Sequence, residues 1–431
     1  MAVFVTDGNH RAALAVVRAL GRAGIPVVVG ESQPACLAGS SRYCAGTVRY
    51  PSPWDEPQKF QDYLHQEMSG GRYDLLLPMT DITMQLAAVV HRTLRGLVRW
   101  PFPEEEQVGL VQDKRHMLLM AERVGIACPR TFMTSEDENL EDVSRKITYP
   151  AVIKPRFSRF LRDREWASGS VQYAGGREEL IAKYHESSVR IPGPLVQERI
   201  VGEGRGVFLL VWDGELKAAF GHRRLREKPP WGGVSVYCES VRLDEDLVQK
   251  ALALLQAVGW QGVAMVEFKV DRRDGQPKLM EVNGRFWGSL QLAIDAGMDF
   301  PLLLHRLAMG EKMPPQLEYK VGVMSRWLLG DLDHLLIRFR HPRGPAGITE
   351  DSGSRLVACL KFLNFFERNS RLDVVRFDDL RPGWFELKHY VRESLHGFSR
   401  GRAPASIPGR TVHTVSGGAE SKPPTDNVTP S

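Results

Sequence analysis

Apolar runs and segments of helical spacing alternate along the first 110 residues. The runs AVFVT, PVVVG, DLLLP and LVRWP are typical of strands. Between them, apolar positions recur with helical spacing over about Asn9 to Ala23, Gln58 to Met68 and Ile82 to His91. Strands that alternate with helices usually form a parallel sheet covered by helices. The pattern therefore predicts a small doubly wound α/β domain at the start of the chain.

The hydrophobic pattern changes after this domain. A helix is predicted from Asp113 to Gly125, three strand-like runs over residues 195–221, and a helix from about Asp244 to Val258. Two further strands, GVAMVEFKV and PKLMEVN, follow, so this part is α+β. Residues 311–398 are apolar and basic with several helical stretches. The final segment, 399–431, is poor in large apolar groups and rich in Pro, Gly, Ser and Thr, which predicts disorder.

The turn after the first strand excludes one common function of such domains. It reads TDGNH, with Gly8 as its one glycine, so the G-x-G-x-x-G dinucleotide fingerprint is absent. Without that fingerprint, a nicotinamide-dependent dehydrogenase is disfavoured.

Composition is that of an ordinary globular protein of about three domains. The chain has 431 residues, of which 43% are hydrophobic and 25% charged. The apolar stretches fall short of the roughly 18 to 20 residues that a membrane span needs. The N-terminus has no basic leader followed by an apolar core and a cleavage site. We therefore expect no contact with membranes and a cytoplasmic location.

Cysteine count and charge argue against two other kinds of site. The 5 cysteines are an odd number without a CxxC pair, so neither a disulfide framework nor a zinc site is predicted. The net charge of +5 is too small to require nucleic acid. Basic residues concentrate in two short segments, 154–166 and 223–228, which suits the binding of phosphate groups.

The most informative stretch is the predicted hairpin VAMVEFKVDRRDGQPKLMEVN. Period-2 alternation assigns one face to Met265, Glu267 and Lys269 of the first strand and to Leu279, Glu281 and Asn283 of the second. With the turn at Asp274-Gly275, Glu267 lies directly opposite Glu281. Opposed like charges destabilise a sheet, so a positive group is expected between the two glutamates.

A divalent cation is one candidate for that positive group. Two carboxylates and the carbonyl of Asn283, completed by phosphate oxygens, form the oxygen ligand set that Mg²⁺ takes beside ATP. The alternative is a solvated hairpin in which the glutamates pair with Lys269 or Lys278. The Asn283-Gly-Arg285 sequence that follows favours the metal site, because a guanidinium next to it suits phosphate chemistry.

With these residues in place, EVNGR resembles the E-x-N-x-R closing motif of the ATP-grasp superfamily. Among its members, the chain is most similar to the carboxylate-amine ligases and to the synthetase unit of the carbamoyl-phosphate synthase large chain. The resemblance covers about residues 1–310. It implies a Rossmann-like domain over 1–112 and an ATP-grasp domain over 113–310, whose lid subdomain spans about 125–198. ATP is expected between the lid and the C-terminal subdomain, and a helical extension over 311–398 follows.

The resemblance also implies roles for individual residues. Lys114 and Lys154 match the two basic residues that contact ATP phosphates, as compact ammonium charges. A surface lysine that extends to water is the alternative for both. Glu198 and Ile200 match the segment that receives the adenine base, and Glu203 matches the residue that binds the ribose hydroxyls.

The match to the family is less regular in the segments that are expected to contact the phosphates and the acceptor substrate. Residues 156–169 stand where family members have a glycine-rich loop over the phosphates, but here the segment is rich in arginine and aromatic residues. Arg223, Arg224 and Arg226 are candidates for holding a substrate carboxylate or the transferred phosphoryl group, with a solvated basic loop as the alternative. Arg285 is placed where an acyl phosphate develops charge.

These assignments imply an ATP-dependent ligase with Arg285, Glu281 and Asn283 as its catalytic residues. The carboxylate substrate becomes an acyl phosphate, which an amine then attacks, releasing ADP and phosphate. Two Mg²⁺ or Mn²⁺ ions are expected, bound by Glu267, Glu281 and Asn283. Partners are a small carboxylate and a small amine, and a homodimer is compatible with this interpretation.

Two other functions stay open. One is an ATP-grasp kinase of a small metabolite, and the other is an ATP-binding scaffold without turnover. Carbamoyl-phosphate synthesis is disfavoured because one synthetase copy is present, and biotin carboxylation because no biotinyl-lysine segment is visible. His10, Thr80 and Asp81 lie at predicted strand ends, where open α/β sheets bind ligands, and are candidates for substrate contact.

Overall fold

The structure is a computed structural model that describes residues 2–133, 139–162, 165–348, 355–364, 367 and 369–399. Apart from Ser399, the segment predicted to be a disordered tail lies outside the described residues. Among the described helices, none is long and apolar enough to cross a membrane. The five cysteines are all free thiols, in agreement with the sequence.

The N-terminal domain is the predicted parallel sheet covered by helices. Its strands are β1 (Ala2–Val5), β2 (Val27–Glu31), β3 (Gly46–Arg49) and β4 (Tyr73–Leu77), in the order β3-β2-β1-β4. Its helices are α1 (Arg11–Arg22), α2 (Pro57–Ser69), α3 (Asp81–Leu94) and α4 (Glu105–Gln112). The predicted strand LVRWP is reduced to one bridge between Leu75 and Arg99. Strands β2 and β3 are added on one side of β1 and β4 on the other, so the strand order reverses between β1 and β4, the place where parallel sheets usually have a crevice at their carboxyl ends.

A smaller subdomain follows α5 (Lys114–Arg123). Its sheet has the order β5-β10-β6-β9 and is formed by β5 (Thr131–Phe132), β6 (Ala151–Lys154), β9 (Gln172–Ala174) and β10 (Leu195–Glu198). Helices α6 (Leu140–Lys146) and α7 (Arg177–Arg190) pack against it over a separate core. The arginine-rich segment forms a two-stranded ribbon of β7 (Arg159–Arg162) and β8 (Glu165–Ser168).

The third part is a seven-stranded sheet with the order β15-β14-β11-β12-β13-β16-β17. Five strands come from the predicted ATP-grasp domain: β11 (Gly202–Trp212), β12 (Glu215–Lys228), β13 (Val234–Ser240), β14 (Gly262–Asp271) and β15 (Pro277–Asn283). Helices α8 (Glu245–Ala257), α9 (Leu290–Asp295) and α10 (Phe300–Ala308) belong to the same part. Their apolar faces share one large core with the N-terminal domain.

The C-terminal extension is only partly helical. It contains α11 (Leu328–Arg340), α12 (Arg355–Leu363) and α13 (Arg381–Ser399), but also β16 (Met324–Arg326) and β17 (Ser370–Leu372), which complete the sheet. The helical stretches expected from the sequence are present, and the two short strands were not foreseen. Strands of three residues are too short to show period-2 alternation in the sequence.

The extension is also held against the N-terminal domain. The guanidinium of Arg18, on α1, donates to Asp379 at 2.9 Å, and both side chains are at most 1% exposed. Asp379 also accepts hydrogen bonds from the Ser41 hydroxyl and the Arg42 amide. A buried charge pair with its remaining lone pairs satisfied fixes the relative position of the two elements.

Candidate active site

The hairpin of β14 and β15 brings the two glutamates together as predicted. Glu267 and Glu281 are direct cross-strand partners. The ladder shifts by one residue between this pair and the next, where Phe268 pairs with Leu279, so Met280 forms a bulge. The bulge interrupts the simple alternation that was expected from Leu279 to Glu281.

Two partly buried lysines supply positive charge near Glu281. Lys154, at the end of β6, donates from Nζ to the carbonyl of the bulged Met280 at 3.0 Å. Lys114, at the start of α5, donates to the Ser158 hydroxyl at 2.7 Å. Burial alone would raise the pKa of Glu281, but the two ammonium groups and a hydrogen bond from Asn283 lower it below its ordinary value. Glu281 is therefore an ionised carboxylate facing cations.

The other glutamate has a different partner. Arg224, on β12, donates to Glu267 at 2.5 Å and to Glu227 at 2.8 Å. Burial raises the pKa of Glu267 above its ordinary value, although Arg224 opposes the shift. The same two carboxylates raise the pKa of Arg224, against the effect of its burial. A guanidinium from β12, which was not among the candidates considered for balancing this charge, thus neutralises part of it.

A chain of hydrogen bonds continues from the hairpin into the N-terminal domain. The amide of Asn283 donates to Glu281 at 3.1 Å, and its carbonyl accepts from Arg285 at 3.1 Å. Arg285 also donates to both oxygens of Asp81, the first residue of α3, at 2.8 and 3.0 Å. Such a bidentate pair fixes the plane of the guanidinium. Glu281, Asn283 and Arg285, assigned together from the sequence, are therefore a connected unit.

The start of α5 is held by a second bidentate pair. Asp113 caps the helix by accepting from the Arg115 amide, and its two oxygens also accept from Arg156, Oδ1 from Nε at 2.9 Å and Oδ2 from Nη2. The amide of Lys114 donates to the Arg156 carbonyl at 3.1 Å. These contacts connect the beginning of the arginine-rich segment to the helix that carries Lys114, a connection that the sequence did not reveal.

Some of these groups line one cleft between the N-terminal domain, α5 and β15, whereas Glu267, Lys154 and Arg285 are not among its lining residues. Lys114, Glu281 and Asn283 face it, and Asp81 and Arg159 line its other sides. Burial lowers the pKa of Lys114, opposed by the charges of Glu281 and Asp81. The cleft therefore combines fixed cations with oxygen ligands, an arrangement suited to a polyphosphate and its metal.

The three residues matched to adenine and ribose lie away from this cleft's lining. Glu198 accepts from the Arg130 amide and from Arg273, both within 3.0 Å, and Ile200 is buried. Glu203 accepts from Arg205 at 2.8 Å and lies 3.4 Å from Arg223. Their predicted roles in nucleotide binding stay predictions, since the carboxylates are engaged in ion pairs here.

The other two candidate arginines of β12 contact different parts of the protein. Arg223 pairs with Glu239 at 2.7 Å and remains partly exposed. Arg226 stacks over the ring of Tyr237 and pairs at 2.7 Å with Asp331, on α11. Contact between Arg226 and the C-terminal extension supports a structural role, whereas Arg224 is the member of the cluster that reaches the hairpin.

Three residues at the carboxyl ends of β1 and β4 were predicted to contact substrate. Thr80 caps α3, Asp81 contacts Arg285, and His10 directly precedes α1. The sequence analysis missed Asp7, next to them. Asp7 has a positive φ of 56°, and its carboxylate accepts from the Thr6 and Thr83 hydroxyls. Burial raises its pKa above the ordinary value. A positive φ at an aspartate is uncommon and often marks a functional turn.

Whether the hairpin fits a divalent metal can be judged from its donors. The described residues contain no group of three or more His, Cys, Asp and Glu side chains that would bind a metal by themselves. Two opposed carboxylates with an amide carbonyl nearby supply a partial oxygen set, which fits Mg²⁺ carried by a nucleotide. The donor set fits a metal bound jointly by protein and phosphate.

A parallel N-terminal domain, a small antiparallel lid and a larger sheet with paired acidic residues on its outermost hairpin together define the ATP-grasp fold. This confirms the resemblance and the fold class expected from the sequence. The family described as "ATP-grasp in the biosynthetic pathway with Ter operon" matches residues 190–328, which run from the end of α7 to the start of α11.

The chain is also similar to solved structures and to one curated protein. The chain superimposes on the L-amino acid ligase of Bacillus licheniformis (TM-score 0.56, 16% identity, 72% of this chain and 74% of that one). It also superimposes on the N5-carboxyaminoimidazole synthetase of Staphylococcus aureus (TM-score 0.60, 15%, 82% and 91%). The mitochondrial methylcrotonoyl-CoA carboxylase subunit alpha of Arabidopsis thaliana is 24% identical over 187 residues, 41% of this chain and 25% of its own length. This last match spans a quarter of that relative.

Proposed function

We propose that the protein is an ATP-dependent ligase that activates a carboxylate as an acyl phosphate and joins it to an amine, releasing ADP and phosphate. The observation that carries the proposal is the connected set Glu267, Glu281, Asn283 and Arg285, facing Lys114 and Lys154. Relatives with this fold include an L-amino acid ligase, which supports this class of reaction.

In this proposal the chain contributes position and charge. Lys114 and Lys154 bind phosphate oxygens and offset their charge, and Arg285, fixed by Asp81, stabilises negative charge as the phosphoryl group transfers. Glu267, Glu281 and Asn283 hold the magnesium ion that accompanies ATP and that, when bound, neutralises the β- and γ-phosphates. Arg224 offsets part of the charge of Glu267 from the side of β12.

Hydroxylamine trapping tests the proposal. The full chain is incubated with Mg²⁺, ATP, hydroxylamine and a panel of carboxylic acids, and ADP and hydroxamate are measured. A ligase forms a hydroxamate in step with ADP, because hydroxylamine attacks the acyl phosphate. A kinase releases ADP but leaves a stable phosphoester, and a scaffold releases ADP at background across the panel. Either of these outcomes would overturn the proposal.

A matched pair of variants makes the assay specific. Glu281→Gln removes a carboxylate of the hairpin, and Glu318→Gln removes one on an exposed loop. We expect hydroxamate formation to be lost in the first variant and kept in the second. Equal hydroxamate formation in both would contradict the assignment of Glu281 to the site.

A further inference from the structure

A second cavity lies at the junction of the N-terminal domain and the C-terminal extension. It is open to solvent on one side, measures about 510 Å³ with that open space included, and lies between the turn before α1, the end of β12, and helices α11 and α13. Asn9 and Lys228 line it from the first two elements, and Trp327, Asp333 and Glu386 from the extension. None of the residues assigned to the proposed ATP site lines this cavity.

The walls of this cavity are mostly apolar. Leu37 and Trp327 are nearly fully buried, and Leu329 and Phe385 lie beside them. A largely apolar cavity with a few polar groups is the usual form of a small-molecule site. The shape therefore suits the hydrophobic body of a ligand.

The cations at the cavity are already neutralised. Lys228 forms an ion pair with Asp333, which also accepts from the Tyr390 hydroxyl at 2.6 Å. Arg11 forms an ion pair with Asp373 and stacks 4.2 Å above the ring of Trp327. Each positive group thus has its own aspartate, so neither requires a negative charge from a ligand.

Two acidic side chains on α13 are left without a full counter-charge. Glu386 accepts one hydrogen bond, from Trp327 Nε1 at 2.7 Å, and forms no ion pair among the described residues. Glu393 lies 3.6 Å from His389, whose Nδ1 is buried without a hydrogen bond. Burial raises the pKa of Glu386 to about 7, and the hydrogen bond from Trp327 and the charge of Arg11 offset this only in part. A partly buried carboxylate without a full counter-charge is stabilised by an added cation.

We propose that this cavity binds a ligand with an apolar body and an ammonium group, for which Glu386 and Glu393 provide the negative charge. That this ligand is the amine substrate rests on the proposed ligase function. The aromatic side chains of Trp327 and Phe385 provide apolar surroundings for this ligand. Glu386, His389 and Glu393 lie about one helical turn apart on α13, so their side chains are on the same side of the helix.

Two elements connect the cavity to the proposed reaction site. Lys228 lies four residues after Arg224 on β12, which is at most about 13 Å along a strand. Arg11 reaches the segment that follows Arg285, because a Cβ added at Gly288 would meet Arg11 Nη2 at 3.1 Å. A ligand bound at the extension would therefore lie beside the residues that follow the closing motif.

Calorimetric titration of the full chain with three probes of one shape tests the charge preference. Benzylamine, benzyl alcohol and benzoate differ only in the polar group that they present. We expect benzylamine to bind at least about tenfold more tightly than benzyl alcohol, and benzoate to bind most weakly. Equal affinity for the amine and the alcohol, or tighter binding of benzoate, would overturn the proposal without any variant.

Variants then locate the binding site. Glu386→Gln combined with Glu393→Gln should reduce benzylamine affinity about tenfold and leave benzyl alcohol binding unchanged. Glu318→Gln serves as the exposed control. If the double variant does not fold, Glu393→Gln alone is expected to show a smaller loss in the same direction. Unchanged benzylamine affinity in a folded variant contradicts the assignment.

The test separates this proposal from the ligase proposal. Benzylamine binding is measured without nucleotide, whereas hydroxamate formation requires ATP and an acid but no benzylamine. Binding without hydroxamate would keep the amine site and overturn the ligase function. Hydroxamate formation without selective amine binding would keep the ligase function and overturn the amine site.

Discussion

At the scale of single residues, the site rests on Glu281. Replacing it with glutamine keeps its size but removes the charge that faces Lys114 and Lys154. We expect Mg²⁺-dependent ATP turnover to fall roughly 100- to 1000-fold, the effect of losing one key electrostatic group in an active site. Steady-state ADP release measures this, with circular dichroism showing that the fold is kept. Near-normal turnover would contradict the metal assignment.

Glu386 gives a prediction about pH. Its folded-state pKa of about 7 lies above the ordinary 4.5, so folding favours the protonated carboxyl. This stabilisation is complete below pH 4.5 and is lost as pH rises through 7. Compared with Glu386→Gln, which cannot ionise, the wild type should lose up to about 3 kcal/mol between these values, at about 1.4 kcal/mol per pKa unit. Urea unfolding at several pH values measures the difference, and parallel curves would refute it.

Sequence reasoning reached some of these residues and not others. Glu267, Glu281 and Asn283 were accessible because strand alternation and one turn fix their relation locally. The contacts of Glu267 with Arg224 and of Arg285 with Asp81 join residues 43 and 204 positions apart. No local pattern encodes such pairs, so the sequence did not predict the contacts of Asp81 and Arg224.

At the scale of elements, the loop after β15 contains a glycine that an indole ring approaches closely. A Cβ added at Gly284, between Asn283 and Arg285, would lie 2.2 Å from the buried ring of Trp260. Gly284→Ala should therefore cost about 1 to 3 kcal/mol of unfolding free energy and reduce turnover. Thermal unfolding and ADP release measure both effects.

Gly109 is the matched control for that substitution. It lies within α4, and nothing comes within 4 Å of an added Cβ. Gly109→Ala is expected to be neutral or to stabilise by up to about 1 kcal/mol, because alanine favours the helix. A loss at Gly109 equal to that at Gly284 would contradict the steric explanation.

The elements themselves were largely predictable, and the exceptions have one cause. Long helices such as α1 and α8 were placed within two residues of their observed ends, since their apolar stripes are continuous. The bulge at Met280 and the three-residue strands β16 and β17 were not foreseen. Each depends on a neighbouring strand rather than on its own sequence.

At the scale of the whole molecule, Arg18 and Asp379 join the two ends of the fold. Asp379→Asn leaves the buried guanidinium without its charge partner, and we expect a loss of about 3 to 5 kcal/mol of unfolding free energy. Replacing both residues, with Arg18→Met and Asp379→Leu, should cost less, because no unpaired charge remains buried. Chemical denaturation of the full chain measures both.

The neighbouring pair provides the control. Arg22 and Asp378 also connect α1 to the extension, but their side chains are 36% and 47% exposed. Asp378→Asn should therefore cost no more than about 1 kcal/mol. Equal losses at positions 378 and 379 would show that burial is not what gives the Arg18 contact its importance.

The pairing of Arg18 also has a consequence for synthesis of the protein. Its partner lies 361 residues further along the chain, so at about 5 to 20 residues per second roughly 20 to 70 seconds separate their translation. Throughout that time the nascent N-terminal domain carries an unmatched guanidinium at a surface that is later covered. Ribosome-stalled or prematurely terminated chains should therefore be susceptible to proteases and dependent on chaperones until the last helix emerges.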